Sequence, residues 1–176
     1  MSIDPRSNQM RVVGVDPGLN ITGYGVVDHT DRGVSLVEAG YASSDRADTM
    51  AERIRSLHDD LLAVLRETDP DAVAIERLYA HYKHPRTAIL MGHARGGILL
   101  AAAECGLPVH SYNATMIKRS MTGNGHASKA QMQRMIEVTL GLTAPPEPPD
   151  VADALAVALC HLNAVTRPAE VRRSTT

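Results

Sequence analysis

The chain contains no phenylalanine and no tryptophan, and five tyrosines are its only aromatic residues besides histidine. A core of stacked rings is excluded, so Val, Ile, Leu, Ala and Met must fill the interior. Cysteine is scarcer still. Cys105 and Cys160 have no metal-ligand spacing, which excludes a disulfide scaffold or a zinc site and leaves both as small buried apolar residues. No apolar run approaches the roughly 20 residues of a membrane-spanning helix, and no secretory leader pattern is visible. The expectation is a reduced, soluble, cytoplasmic protein with no membrane partner.

An excess of one charge is also missing, since 20 Asp/Glu and 18 Lys/Arg give a net charge of −2. Its distribution is uneven. Residues 1–76 carry 7 basic and 14 acidic side chains, and residues 135–176 carry 3 and 5, whereas residues 77–134 carry 8 and 1. This middle segment, at net +7, is either a solvated face or a surface for phosphate.

At 176 residues the chain fits one domain, expected over residues 10–166. The polar, aperiodic tails at 1–9 and 167–176 are expected to be disordered. Strand-like runs at 11–16, 22–28 and 33–42, joined by short turns, predict an antiparallel meander. Met50, Ile54, Leu57, Leu61, Val64 and Leu65 recur at helical spacing and predict a helix over 47–67, with Asp45, Asp48 and Thr49 as capping candidates. A strand at 71–76, a helix at 85–104, a strand at 109–112 and short helices at 114–121 and 128–140 follow. A last helix, 150–166, is apolar on nearly every side and should be well buried. The predicted fold class is α/β, a five-stranded mixed sheet flanked by helices.

Four acids stand at the ends of these core elements. Asp16 closes Val12-Val13-Gly14-Val15, Glu76 closes Ala72-Val73-Ala74-Ile75, and Asp150 and Asp153 open the final helix three residues apart, on one face. Asp16 before Pro17-Gly18 is also an ordinary turn residue, and the Asp150/Asp153 pair is also an ordinary helix cap. Glu76 is harder to dismiss, because an acid ending an apolar strand must face solvent, a partner or an ion. Gathered together, the four would supply the hard oxygen ligands of two-metal phosphodiester hydrolysis, in which two ions sit about 4 Å apart.

Gly14-Val15-Asp16-Pro17-Gly18, Thr22-Gly23-Tyr24-Gly25-Val26, Ala74-Ile75-Glu76, Gly92-His93-Ala94-Arg95-Gly96 and Asp150-Val151-Ala152-Asp153-Ala154-Leu155-Ala156 resemble, in order and spacing, the successive motifs of the RuvC family of Holliday junction resolvases. The resemblance spans about residues 10–166. It implies an RNase H-like fold and a homodimer that binds four-way junction DNA and nicks two opposed strands symmetrically, leaving 5′-phosphate ends for recombination and repair. It also implies a handover from the RuvA–RuvB branch-migration complex. By the same resemblance Asp16, Glu76, Asp150 and Asp153 are the catalytic, metal-binding acids, with Asp16 bridging. Two Mg²⁺ ions are expected, and Mn²⁺ should substitute because all the ligands are hard oxygens.

The basic segment then has a purpose, since cations must bring phosphates close to the acids. Lys118 and Lys129 match basic positions of the family's DNA-binding surface, and Arg119 neighbours the first. Tyr79 and Tyr82, in the loop after Glu76, either stack on bases at the junction centre or pack on a dimer partner. Tyr79 stands where the family often has Phe. His126 is either a phosphate contact or a solvated loop residue. Helix 85–104 is expected either at the dimer contact, through Gly92, Ala94, Gly96 and Gly97, or against its own sheet. Two other classes fit less well: sugar kinases and actin-like ATPases, whose paired domains need a longer chain and a second phosphate loop, and a silent junction binder, which would have lost acids.

Overall fold

The computed structural model describes residues 9–78 and 85–166. The expected tails, apart from residue 9, and both Tyr79 and Tyr82 lie outside the described residues. Three strands open the fold: β1 (Met10–Asp16), β2 (Ile21–Thr30) and β3 (Gly33–Ser43). Then come α1 (Met50–Thr68), β4 (Ala72–Glu76), α2 (Pro85–Glu104), β5 (Val109–Tyr112), α3 (Ala114–Thr122), α4 (Lys129–Leu140) and α5 (Pro149–Thr166). The sheet order is β3-β2-β1-β4-β5. The meander pairs antiparallel, while β4 joins β1, and β5 joins β4, in parallel.

Alternation along each strand sends successive side chains to opposite faces. Val13, Val15, Val73 and Ile75 pack with Leu61, Leu65, Ile98 and Ala101 of α1 and α2. Val12, Ala74 and Tyr112 pack on the other face against α5, with α3 and α4 beyond it. By the same alternation Asp16 and Glu76, each two residues past an α5-facing position, turn toward α5. This face also holds His161, fully buried, whose Nδ1 pairs with the Tyr112 hydroxyl at 2.7 Å and whose ring lies 4.4 Å from that of His110. Burial, and then His110, push the His161 imidazole down to about 4, so it is neutral in the folded protein.

Element ends follow local chemistry. The turn over 45–48 has its own bonds, Ala47 N–H to Asp45 Oδ1 at 2.9 Å and Asp48 N–H to Asp45 O at 3.3 Å. Helix α1 therefore starts later than residue 47: Thr49 caps it, and Glu52 returns a bond to the Thr49 N–H. Ser128 caps α4 in the same reciprocal way with Gln131. Strand β2 runs past residue 28 because Thr30 pairs with Gly33 across a two-residue turn, where Gly33 takes φ of 113°.

Candidate active site

Strands β1 and β4 lie side by side with Val15 opposite Ile75, so Asp16 and Glu76 emerge from neighbouring strand ends on one face. Asp150 and Asp153 arrive from the first turns of α5, which crosses that face. Glycines let it come close. A Cβ at Gly23, the cross-strand partner of Asp16, would collide with the main-chain carbonyl of Asp150, and one at Gly14 would collide with the carbonyl of Ala154. At Gly25 it would meet the Leu155 side chain. The helix N-terminus is thereby seated directly beside Asp16.

The acids feel one another. The Asp16 carboxyl is pushed up to about 8, first by burial and then by the charges of Asp153, Glu76 and Asp150. Glu76 is raised by burial and by Asp153, and Asp153 by burial, with Asp150 adding to it. Two lysines oppose this. Lys118 pulls Glu76 and Asp153 back toward ionisation, and Lys129 does so for Asp16 and Asp153. Lys129 Nζ stands 3.8 Å from Asp153 Oδ2, with the lysine side chain 69% exposed and the aspartate 41%. A cleft of about 420 Å³ joins Glu76 and Asp153 to Lys118, Ser128 and Lys129. A phosphate entering it would meet cations on one wall and carboxylates on the other.

The model of the family of crossover junction endodeoxyribonucleases RuvC matches residues 12–161. The chain belongs to the RuvC family. A RuvC of that description from Rhodopirellula baltica is 50% identical over 149 residues, covering 85% of this chain and 84% of the relative. The Thermus thermophilus RuvC structure superposes with a TM-score of 0.84 at 34% identity, covering 90% of this chain and 97% of that one. The same RuvC in complex with Holliday junction substrate gives 0.85 at 34% identity, covering 90% and 96%. The fold is therefore RNase H-like, and the activity is that of an endodeoxyribonuclease.

RuvC-family nucleases depend on metal, and the donor set here fits a hard divalent cation. Carboxylates from three elements converge, partly buried, with the protonation of Asp16, Glu76 and Asp153 raised first by burial and then by repulsion from neighbouring acids, which a cation would relieve. Among the described residues no three His, Cys, Asp or Glu side chains form a ready-made metal cage.

Lys118 and Lys129, expected at a DNA surface, both line the acid cleft. Arg119 and His126 are exposed and do not line it. Arg119 instead reaches toward Gly125, and the His126 N–H donates to Asn124 Oδ1 at 2.9 Å, fixing the loop that leads into α4. The sequence reading passed over two contributors. The seat of α5 on Gly14 and Gly23 had a visible signal, glycine inside a strand pattern. Arg95, which donates to the main chain of Glu76, had none beyond its motif.

Proposed function

We propose that this chain resolves Holliday junctions, cutting two opposed strands of a four-way DNA junction by symmetric paired nicks. The observation that carries the proposal is the acid cluster of β1, β4 and α5 beside a cleft walled by Lys118 and Lys129. The names of the relatives, and the Holliday junction substrate in complex with the Thermus protein, support the choice of DNA.

Asp16, Glu76, Asp150 and Asp153 would hold two Mg²⁺ ions, or Mn²⁺, with Asp16 between them, Glu76 and Asp153 each favouring one, and Asp150 completing the set. Bound there, the ions supply Lewis-acid activation of a water and neutralise charge on the leaving oxygen, giving 5′-phosphate ends. The protein's own part is positional. Lys118 and Lys129 draw the backbone phosphate in against the repulsion of the carboxylates and pull Glu76 and Asp153 part of the way back toward ionisation. Arg119 extends the basic surface beyond the cleft, and Tyr79 and Tyr82 are assigned to the unpaired centre of the junction.

Paired cuts need two sites, and α2 offers the contact. Ile89, Leu99 and Leu100 are exposed large apolar side chains, and Cβ positions at Gly92 and Gly96 point into open space. A second copy laid on this stripe would form a homodimer. The RuvA–RuvB complex is the partner implied by the family. No helix among the described residues is long and apolar enough to cross a membrane, and the free thiols Cys105 and Cys160 suit the cytoplasm.

The test is a synthetic four-way junction labelled on each strand and incubated with Mg²⁺ or Mn²⁺. Symmetric nicks in opposed strands are expected, with none on plain duplex. Absence of paired nicks across junctions of varied sequence overturns the proposal.

A further inference from the structure

Arg95 lies mid-way along α2, half-buried against the sheet on the face opposite α5. Its Nη1 donates to the main-chain oxygen of Glu76 at 3.0 Å and its Nη2 to Ser111 Oγ at 2.8 Å. Among the described residues no carboxylate pairs with it. Burial, and then the nearby cation of Arg77, lower its pKa, so the charge is carried at a cost. A neutral residue would fill the same volume without that cost.

Its two acceptors explain the choice. Glu76 is the last residue of β4 and pairs with Tyr112, the last of β5, while the Arg77 N–H donates to Tyr112 O at 2.7 Å. Strand ends of this kind open first in local unfolding. The guanidinium spans both strands at once, a two-pronged reach that a lysine ammonium cannot reproduce. The Glu76 side chain points to the α5 face, so Arg95 grips its backbone from behind and leaves the carboxylate clear.

We propose that Arg95 is a positioning residue that locks the end of β4, so that the Glu76 carboxylate holds its place in the acid cluster. This rests on the reading of that cluster as the divalent-ion site. Arg95 touches neither substrate nor ion; it acts through Glu76.

The experiment compares wild type with Arg95→Met, Arg95→Lys and Ser111→Ala in full-length protein. Three quantities are measured: Mn²⁺ binding by calorimetry without DNA, hydrogen exchange at the Arg77 amide, and junction binding in the absence of divalent ions. Arg95→Met is expected to weaken Mn²⁺ binding about 10-fold or more, in the range known for residues that orient metal ligands. Exchange at Arg77 should accelerate, while ion-free junction binding stays within about twofold, as expected for an effect confined to the metal ligands. Arg95→Lys should recover part of the loss, and Ser111→Ala should show a smaller change of the same sign. Unchanged Mn²⁺ affinity in Arg95→Met overturns the proposal, as does an equal loss of ion-free junction binding. Should Arg95→Met fail to fold, unchanged Mn²⁺ affinity in both Arg95→Lys and Ser111→Ala overturns it. A wild type that cuts no junction defeats the nuclease reading, while calorimetry and exchange still decide the role of Arg95.

Discussion

Asp16 is held in a state that costs the fold stability. Its folded pKa of about 8 lies above the ordinary carboxylate value. The stability tied to it is therefore complete below the unfolded pKa and is lost as pH rises toward and through 8. Asp16→Asn should abolish cleavage, leave junction binding intact, and raise the melting temperature in metal-free buffer. A gain on the order of 1 kcal/mol would shift it by roughly 2–4 °C in a chain of this size. Retained cleavage removes Asp16 from the site. A proton and a divalent ion also compete for this carboxylate. The Mg²⁺ concentration for half-maximal cleavage should fall by up to about tenfold per pH unit between pH 6 and 8, and a pH-independent requirement would contradict the competition.

At the scale of elements, α5 is the part on which the site depends. Gly23→Ala would drive a methyl group into the Asp150 carbonyl, so α5 must lift at its acidic end. Overpacking of this kind costs about 1–3 kcal/mol. The expected outcome is a lower melting temperature together with a raised ion requirement, because Asp150 and Asp153 move with the helix. A variant that melts early but keeps the wild-type ion requirement would detach the glycine seat from the site. The same elements show what was legible in the sequence. Asp16 and Glu76 could be read because an acid ending an apolar strand stands out, and Asp150 and Asp153 because helical spacing puts them on one face. The start of α1 was misplaced because the bonds of Asp45 close a turn that mimics a cap. Arg95 was quoted only within its motif: its partner is a main-chain carbonyl 19 residues away, and such a bond leaves no pattern in side-chain types.

Across the whole molecule, the two faces of the sheet divide the labour. The α5 face gathers acids and lysines, while the opposite face ends in the exposed stripe of α2. Leu100 is 55% exposed there. Leu100→Asp should convert a dimer into a monomer by sedimentation and replace paired nicks by single ones, with the fold retained because the side chain already meets solvent. A wild type that sediments as a monomer at micromolar concentration would overturn the proposed dimer, and a variant that remains dimeric would move the contact elsewhere.

The burial of α5 also bears on how the protein is made. Half of the acids, and the helix that closes one face of the core, come from the final stretch of the described chain. Domains emerging from a ribosome fold from the N-terminus at about 5–20 residues per second, so β1 and β4 can pair before α5 exists. A nascent chain that stalls short of residue 150 carries Asp16 and Glu76 alone, with an uncovered apolar sheet as a target for chaperones and proteases. On the proposed reading of the four acids, a cluster able to hold the ions would form only once α5 has been made and seated on the sheet.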